Sequence, residues 1–316
     1  MRTIWLLLAM LAADAAGTPP IPGGAPIRAD AVRLDPRDPA HVRAGSLTYL
    51  GGWVLTSSDP RFGGLSSLTA DADGLLAIGD RGGVFRITPR GRLAPTGHVV
   101  GQLPDGPSEQ IGHASRDSES STRGPGGALW VGFEDANAIW RYDAAVSRST
   151  GHAAPAEMAD WPRNGGPEAM VRLPDGRFLV FSEEAKGASP GTYRALLFPG
   201  DPVEGAKPAR FDYRPPAGYV ITDVRALPDG RLVALHRRYT KLDGASAILS
   251  IVDMASIPDG AVVEGRPIAR LASPLTVDNM EALAVTQEGR RVILWIASDD
   301  NFSSVQRTLL MRFRLD

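Results

Sequence analysis

One short pattern recurs along this chain and constrains its fold more than any other feature. Within residues 164–184, a β-prone run at 169–173 leads into Pro174-Asp175-Gly176, and a second β-prone run follows at 177–181. Asp-Gly between two such runs predicts an antiparallel hairpin, because glycine takes the positive φ that a tight turn demands. Both ends of this hairpin are acidic. Glu168 precedes the first strand, and Glu183 and Glu184 follow the second, so all three fall on the side opposite the turn.

Four other segments follow the same plan. Residues 64–81 turn at Asp73-Gly74 and end in Asp80-Arg81. Residues 117–135 open with Asp117-Ser118-Glu119, turn at Gly124-Pro125-Gly126-Gly127 and end in Glu134-Asp135. Residues 222–238 carry Asp223, turn at Asp229-Gly230 and end in His236-Arg237. Residues 279–300 carry Glu281, turn at Glu288-Gly289 and end in Asp299-Asp300. The opening acids Glu119, Glu168, Asp223 and Glu281 stand 49, 55 and 58 residues apart. Paired strands with glycine turns at this period predict an all-β chain of the β-propeller type. Segments 83–88, 138–142, 193–198, 247–252 and 308–315 supply further strands for each unit. The early strands at 27–34 and 46–56 and the last at 309–315 are expected to share one blade and close the ring, which makes six blades in all.

The chain bears a formal net charge of −2, so it lacks the basic footprint of a nucleic-acid binder. It has no cysteine, which excludes disulfides, thiolate metal sites and a cysteine nucleophile. Residues 1–15 combine Arg2, the apolar run from Ile4 to Ala12 and an Ala-x-Ala end. That pattern predicts a signal peptide cleaved after Ala15, with export to the periplasm or beyond. The apolar run is too short to span a bilayer, and no stable membrane insertion is expected. Residues 16–26 read as a flexible lead-in and residues 27–316 as the propeller domain. The polar stretches 104–117 and 146–166, the latter with His152 and Trp161, are expected to leave the acidic end as loops.

Carboxylates gathered round one small space repel, and they stay ionised in a partly buried site only when arginines or cations offset them. Glu119, Glu168, Asp223 and Glu281 recur at one slot and are the candidate ligands of a hard divalent cation, Ca2+ or else Mg2+. Glu168 is also a candidate catalytic residue. Arg81, Arg116 and Arg237 are candidates for gripping an anionic substrate, and His236 is a candidate general acid. A bound cation of this kind suits hydrolysis of a phosphomonoester or phosphodiester. Asp73, Asp175 and Asp229 belong to turns. Gly-x-Ser-x-Gly is absent, and Ser66 and Ser67 read as the start of a strand, so a serine nucleophile is not supported.

Several of these segments together resemble a known family. Gly63-Gly64-Leu65-Ser66-Ser67-Leu68 is followed by Ala77-Ile78-Gly79-Asp80-Arg81-Gly82 and by Asp117-Ser118-Glu119. Asn164-Gly165-Gly166-Pro167-Glu168-Ala169-Met170, Asn279-Met280-Glu281-Ala282-Leu283 and Ser298-Asp299-Asp300-Asn301-Phe302 complete the set. In order and spacing they resemble the phytase-like family of exported bacterial proteins, described by its esterase-like activity of phytase. The resemblance extends over roughly residues 43–315. It implies a propeller, and a phosphodiesterase or phosphomonoesterase acting on a small anionic substrate. Arg-His-Gly-x-Arg-x-Pro, the mark of histidine acid phosphatases, is absent. Phytate itself would want a strongly basic face, whereas lysines are few, among them Lys186, Lys207 and Lys241. Two other functions suit the same residues: a non-catalytic propeller holding a structural cation and binding a ligand or partner, and a Ca2+-dependent lactonase or esterase.

Overall fold

The computed structural model describes residues 24–91, 93–107, 117–253 and 257–316. The signal peptide, most of the lead-in and Arg116 lie outside the described residues. The hairpins form where the turn chemistry places them. In the 164–184 segment, Leu173 N donates to Arg177 O at 2.7 Å and Gly176 N to Leu173 O at 3.0 Å. Gly176 holds φ at 94°, which a side chain would resist. Asp175 fixes the turn by accepting from Arg177 N at 3.1 Å.

Each hairpin grows into a four-stranded antiparallel unit, and the described residues contain five. The first comprises Leu65–Asp71, Gly74–Gly79, Gly83–Arg90 and Leu93–Gln102. The second is Ser118–Arg123, Leu129–Phe133, Ala138–Tyr142 and Ser149–Ala153. The third is Pro167–Arg172, Phe178–Lys186, Tyr193–Phe198 and Ala209–Arg214, with Val262–Glu264 added in parallel at its edge. The fourth is Val220–Ala226, Leu232–Thr240, Gly244–Val252 and Arg266–Ala272. The fifth is Asn279–Glu288, Arg291–Asp299, Leu309–Leu315 and the early strand Leu47–Ser57.

The two ends of the chain therefore do share a sheet, with Leu310 opposite Trp53 and Met311 opposite Gly52. The count expected from sequence differs for the same reason. Leu47–Ser57 is the fourth strand of the hairpin at 279–300, so it completes the last repeat and does not found a sixth unit. Pro26–Ala31 then pairs with both Leu47–Ser57 and Leu93–Gln102, joining the fifth unit to the first.

The core explains why each second strand carries an unbroken run of apolar residues, such as 75–78, 178–181 and 232–235. Successive side chains on a strand face opposite ways. In the first unit Leu75 and Ala77 pack with the fifth unit's Trp295 and Leu310, while Leu76 and Ile78 pack with the second unit's Val131 and Phe133. In the third, Phe178 and Val180 meet the second unit's Trp130, while Leu179 and Phe181 meet the fourth unit's Val224 and Ala234. A fifth cluster joins Leu235 and Leu249 to Met280 and Ile296. Every unit is thus apolar on both faces, and the first strand of each packs beside the first strand of its neighbours. Such radial repetition is β-propeller-like.

Candidate functional site

The acidic residues reach one place because of a repeated irregularity. In each first strand, one residue near the start has no partner on the second strand. These bulged residues are Ser66, Glu119, Glu168, Thr222 and Glu281. A bulge re-aims the side chain it carries. In three units that side chain is glutamate and lines a cavity of about 710 Å³. In the other two a hydroxyl is spent on backbone: Ser66 Oγ donates to Ser118 O at 2.5 Å, and Thr222 Oγ1 to Met280 O at 3.3 Å.

Asp223 is one residue past the bulge, and this corrects its expected place among the metal-facing residues. It is buried away from the cavity. Its Oδ1 accepts from Val224 N at 2.7 Å, and its Oδ2 accepts from Leu283 N at 2.7 Å and from Arg225 Nη2 at 2.9 Å.

A second set of side chains lies just outside the bulges. On each second strand or just past its end, the residue following the partner of the pre-bulge position is Asp80, Glu134, Glu183, Arg237 or Asp299. All five line the cavity, joined by Asp117, Asp135, Arg163, Asn164 and Asn301. Among the described residues, nine carboxylates therefore share one space with two arginines. Arg237 is the more engaged. Its Nη2 donates to Glu183 Oε1 at 2.8 Å, its Nη1 donates to Asn279 Oδ1 at 3.3 Å, and its Nε stands 3.3 Å from Glu281 Oε1. Arg163 is mostly exposed and pairs with Asp135 at 3.1 Å.

Burial dominates the electrostatics of these groups. It pushes Asp80 up to about 7, with Asp299 adding to it, and Glu134 up to about 8, with Asp117 adding to it. Glu119, Glu168 and Glu281 are held well above the usual carboxylate range by burial, and the neighbouring carboxylates add to it. For Glu168 and Glu281, Arg237 works the other way. Two groups of three present oxygens within 4.8 Å of one another, Asp117–Glu119–Glu134 and Glu134–Glu168–Glu183, and they share Glu134. Oxygen-only donors at that spacing suit a hard divalent cation.

The remaining residues expected at the site lie elsewhere. His236 precedes Arg237 on its strand and so faces the other way. It is fully buried, with Nε2 2.7 Å from Tyr213 Oη and Nδ1 3.1 Å from Ile248 O. Burial lowers its pKa to about 4, so it is a neutral core residue and not a general acid in this cavity. Arg81 is exposed, with its guanidinium 3.7 Å from the centre of the Phe302 ring and outside the cavity lining.

One central residue has no counterpart in the sequence reading. Arg225, on the first strand of the fourth unit, donates to the carbonyls of Leu68 at 2.9 Å, Met170 at 3.0 Å and Leu283 at 2.7 Å. Those carbonyls belong to the first strands of the first, third and fifth units. The guanidinium therefore sits where these strands converge, behind the acidic cavity. The signal was present as a lone arginine in the otherwise apolar end of Val224-Arg225-Ala226-Leu227.

A search of the curated proteins finds no significant match. Among solved structures the chain is similar to a gluconolactonase from Xanthomonas campestris, at 13% identity and TM-score 0.47, over 90% of this chain and 97% of that one. It is similar to glutaminyl cyclase from Myxococcus xanthus at 12% identity and TM-score 0.45, over 81% and 92%. It is also similar to hydrazine synthase from Kuenenia stuttgartiensis at 17% identity and TM-score 0.40, over 77% of this chain but only 58% of that one. The phytase-like family model, described as esterase-like activity of phytase, matches residues 60–302. That span takes in the first strand of every unit and all nine carboxylates of the cavity, so the chain belongs to the phytase-like family.

Proposed function

We propose that the protein is an exported hydrolase of phosphoesters that depends on a hard divalent cation, Ca2+ or Mg2+, held in the acidic cavity. Glu168 carries this reading. Its carboxylate lies in a residue only 5% exposed, faces the oxygens of Glu134 and Glu183, and among the described residues has Arg237 as its nearby positive charge. Keeping such a crowded, buried carboxyl ionised is costly, and a cation relieves that cost. Glu119, Glu134 and Glu168, with Asp117 and Glu183 beside them, would hold it.

When bound, such a cation supplies positive charge that offsets the phosphate and eases deprotonation of water. The chain's own residues supply the rest. Arg163 at the rim and Arg237 deeper in bind the anionic substrate. Asp80 accepts a proton from water: its Oδ1 is buried without a hydrogen bond, and burial brings its pKa to about 7, close to the working range of a general base. In the same reading the five units are the blades of a closed propeller, and Arg225 seals its axis so that substrate enters from the acidic end only.

The test is hydrolysis of bis-p-nitrophenyl phosphate and p-nitrophenyl phosphate by chelator-treated protein, with and without added Ca2+ or Mg2+. Cation-dependent turnover that Glu168→Gln abolishes supports the proposal, and no turnover with any cation overturns it. One observation favours a second reading. Arg237 is already engaged by Glu183, Glu281 and Asn279, which leaves it few donors for a substrate. A non-catalytic propeller with a structural cation, binding a ligand or partner, fits that arrangement. It is selected if the cation raises the melting temperature while no ester is cleaved.

A further inference from the structure

The axis has a second charged end. Beyond Arg225 lies a cavity of about 150 Å³, walled by the third and fourth residues after the bulge in all five first strands. In the second and third units these positions bring Thr122, Arg123 and Arg172 together. Among the described residues no carboxylate lines it.

Arg123 is the informative residue. Its side chain is 10% exposed. Nη1 donates to Gly127 O at 2.8 Å, but Nε and Nη2 make no hydrogen bond. Nη2 forms a long ion pair with Asp71 Oδ2 at 3.5 Å, while both oxygens of Asp71 accept closer hydrogen bonds from Arg86 Nη1 at 2.8 and 2.7 Å. Among the described residues, Arg172 Nη1 donates to the carbonyl of Leu173, at 3.3 Å. Thr122 Oγ1 accepts from Arg172 N at 3.0 Å, which leaves its own proton to donate. Nearly buried guanidinium donors without acceptors are costly, and an oxyanion satisfies a planar fork of N–H groups two at a time.

We propose that this end of the axis binds a small oxyanion of the phosphate type, gripped by Arg123 and Arg172 with a further hydrogen bond from the Thr122 hydroxyl. The cavity has room for the anionic head alone, and a larger ester would project its tail outward. The site is independent of the acidic cavity, from which Arg225 separates it.

Calorimetric titration of inorganic phosphate into the mature protein, passed over a chelating resin, tests this. Stripped of cations, the acidic cavity repels phosphate, so binding there is disfavoured. The expected result is saturable 1:1 binding that weakens about tenfold or more in Arg123→Gln and in Arg172→Gln and is unchanged in Glu168→Gln. Arg172 is partly exposed, so its variant serves if Arg123→Gln does not fold. Phenyl phosphate binding as tightly as phosphate identifies an ester head as the occupant, and weaker binding identifies the free ion; either outcome supports the site. Absence of binding, binding that both arginine variants retain, or binding that Glu168→Gln removes would overturn it.

Discussion

The middle of the axis and its acidic end treat buried charge in opposite ways. At the middle, Arg225 and Asp223 leave nothing unpaired. The guanidinium donates to carbonyls of four first strands, counting its own, and to Asp223, which also accepts two backbone N–H groups. At the acidic end, Glu168 is as well buried, and its carboxylate is crowded by those of Glu134 and Glu183. The first arrangement is complete and holds units together. The second gathers carboxylates whose oxygens lie within 4.8 Å of one another, a donor set that could bind a cation.

The sharpest way to break the comparison is to make the middle resemble the acidic end. Arg225→Met strands Asp223 and four carbonyls, and loss of one partner of a buried pair costs about 3–5 kcal/mol. Urea unfolding of the variant should show that loss whether or not divalent cations are present. A next, somewhat smaller effect concerns His236. In the fold it takes a proton only near pH 4, against about 6.5 when unfolded. Below 6.5 the unfolded chain therefore binds a proton that the fold refuses, and stability drops as pH falls from 6.5 towards 4. The contribution is up to about 3 kcal/mol. It is read as the difference between parent and His236→Asn across that range, because the raised carboxylates of the cavity work in the opposite direction.

Glu168→Gln sharpens the comparison from the other side. With cations removed it should stabilise the fold, by roughly 1–3 kcal/mol, since it takes away a buried carboxyl crowded by Glu134 and Glu183. The corresponding change at the complete site, Asp223→Asn, should only destabilise, and paired melting curves without cations separate the two. The smallest effect is expected at Arg163, whose side chain is 65% exposed. Arg163→Gln should leave stability within about 0.5 kcal/mol while raising KM for an anionic ester more than it lowers kcat.

Much of this architecture could be read from the chain. Asp175-Gly176 and its equivalents mark the turns, and the recurrence of Glu119, Glu168 and Glu281 marks one end of the units. The pairing of the last strand with an early one followed from β-prone runs at both 46–56 and 309–315. What stayed hidden depended on registers of a single residue. A bulge leaves no mark in composition, so Asp223 looked equivalent to Glu168 although Thr222 occupies the matching position. The same alternation separates His236 from Arg237: adjacent in sequence, one is a core residue and the other lines the cavity. Arg225 was legible only as an oddity, because its partners are main-chain carbonyls from three distant segments. The extra unit expected from the early strands disappears once Leu47–Ser57 is seen to finish the fifth.

The proposal stands or falls on whether the acidic end binds a divalent cation. Calorimetric titration of Ca2+ into chelator-treated protein, parent beside Glu168→Gln, tests it most directly. The account predicts saturable binding by the parent, accompanied by a rise in melting temperature, and loss of both in the variant. Equal binding by the two proteins, or no binding by a folded parent, would contradict it.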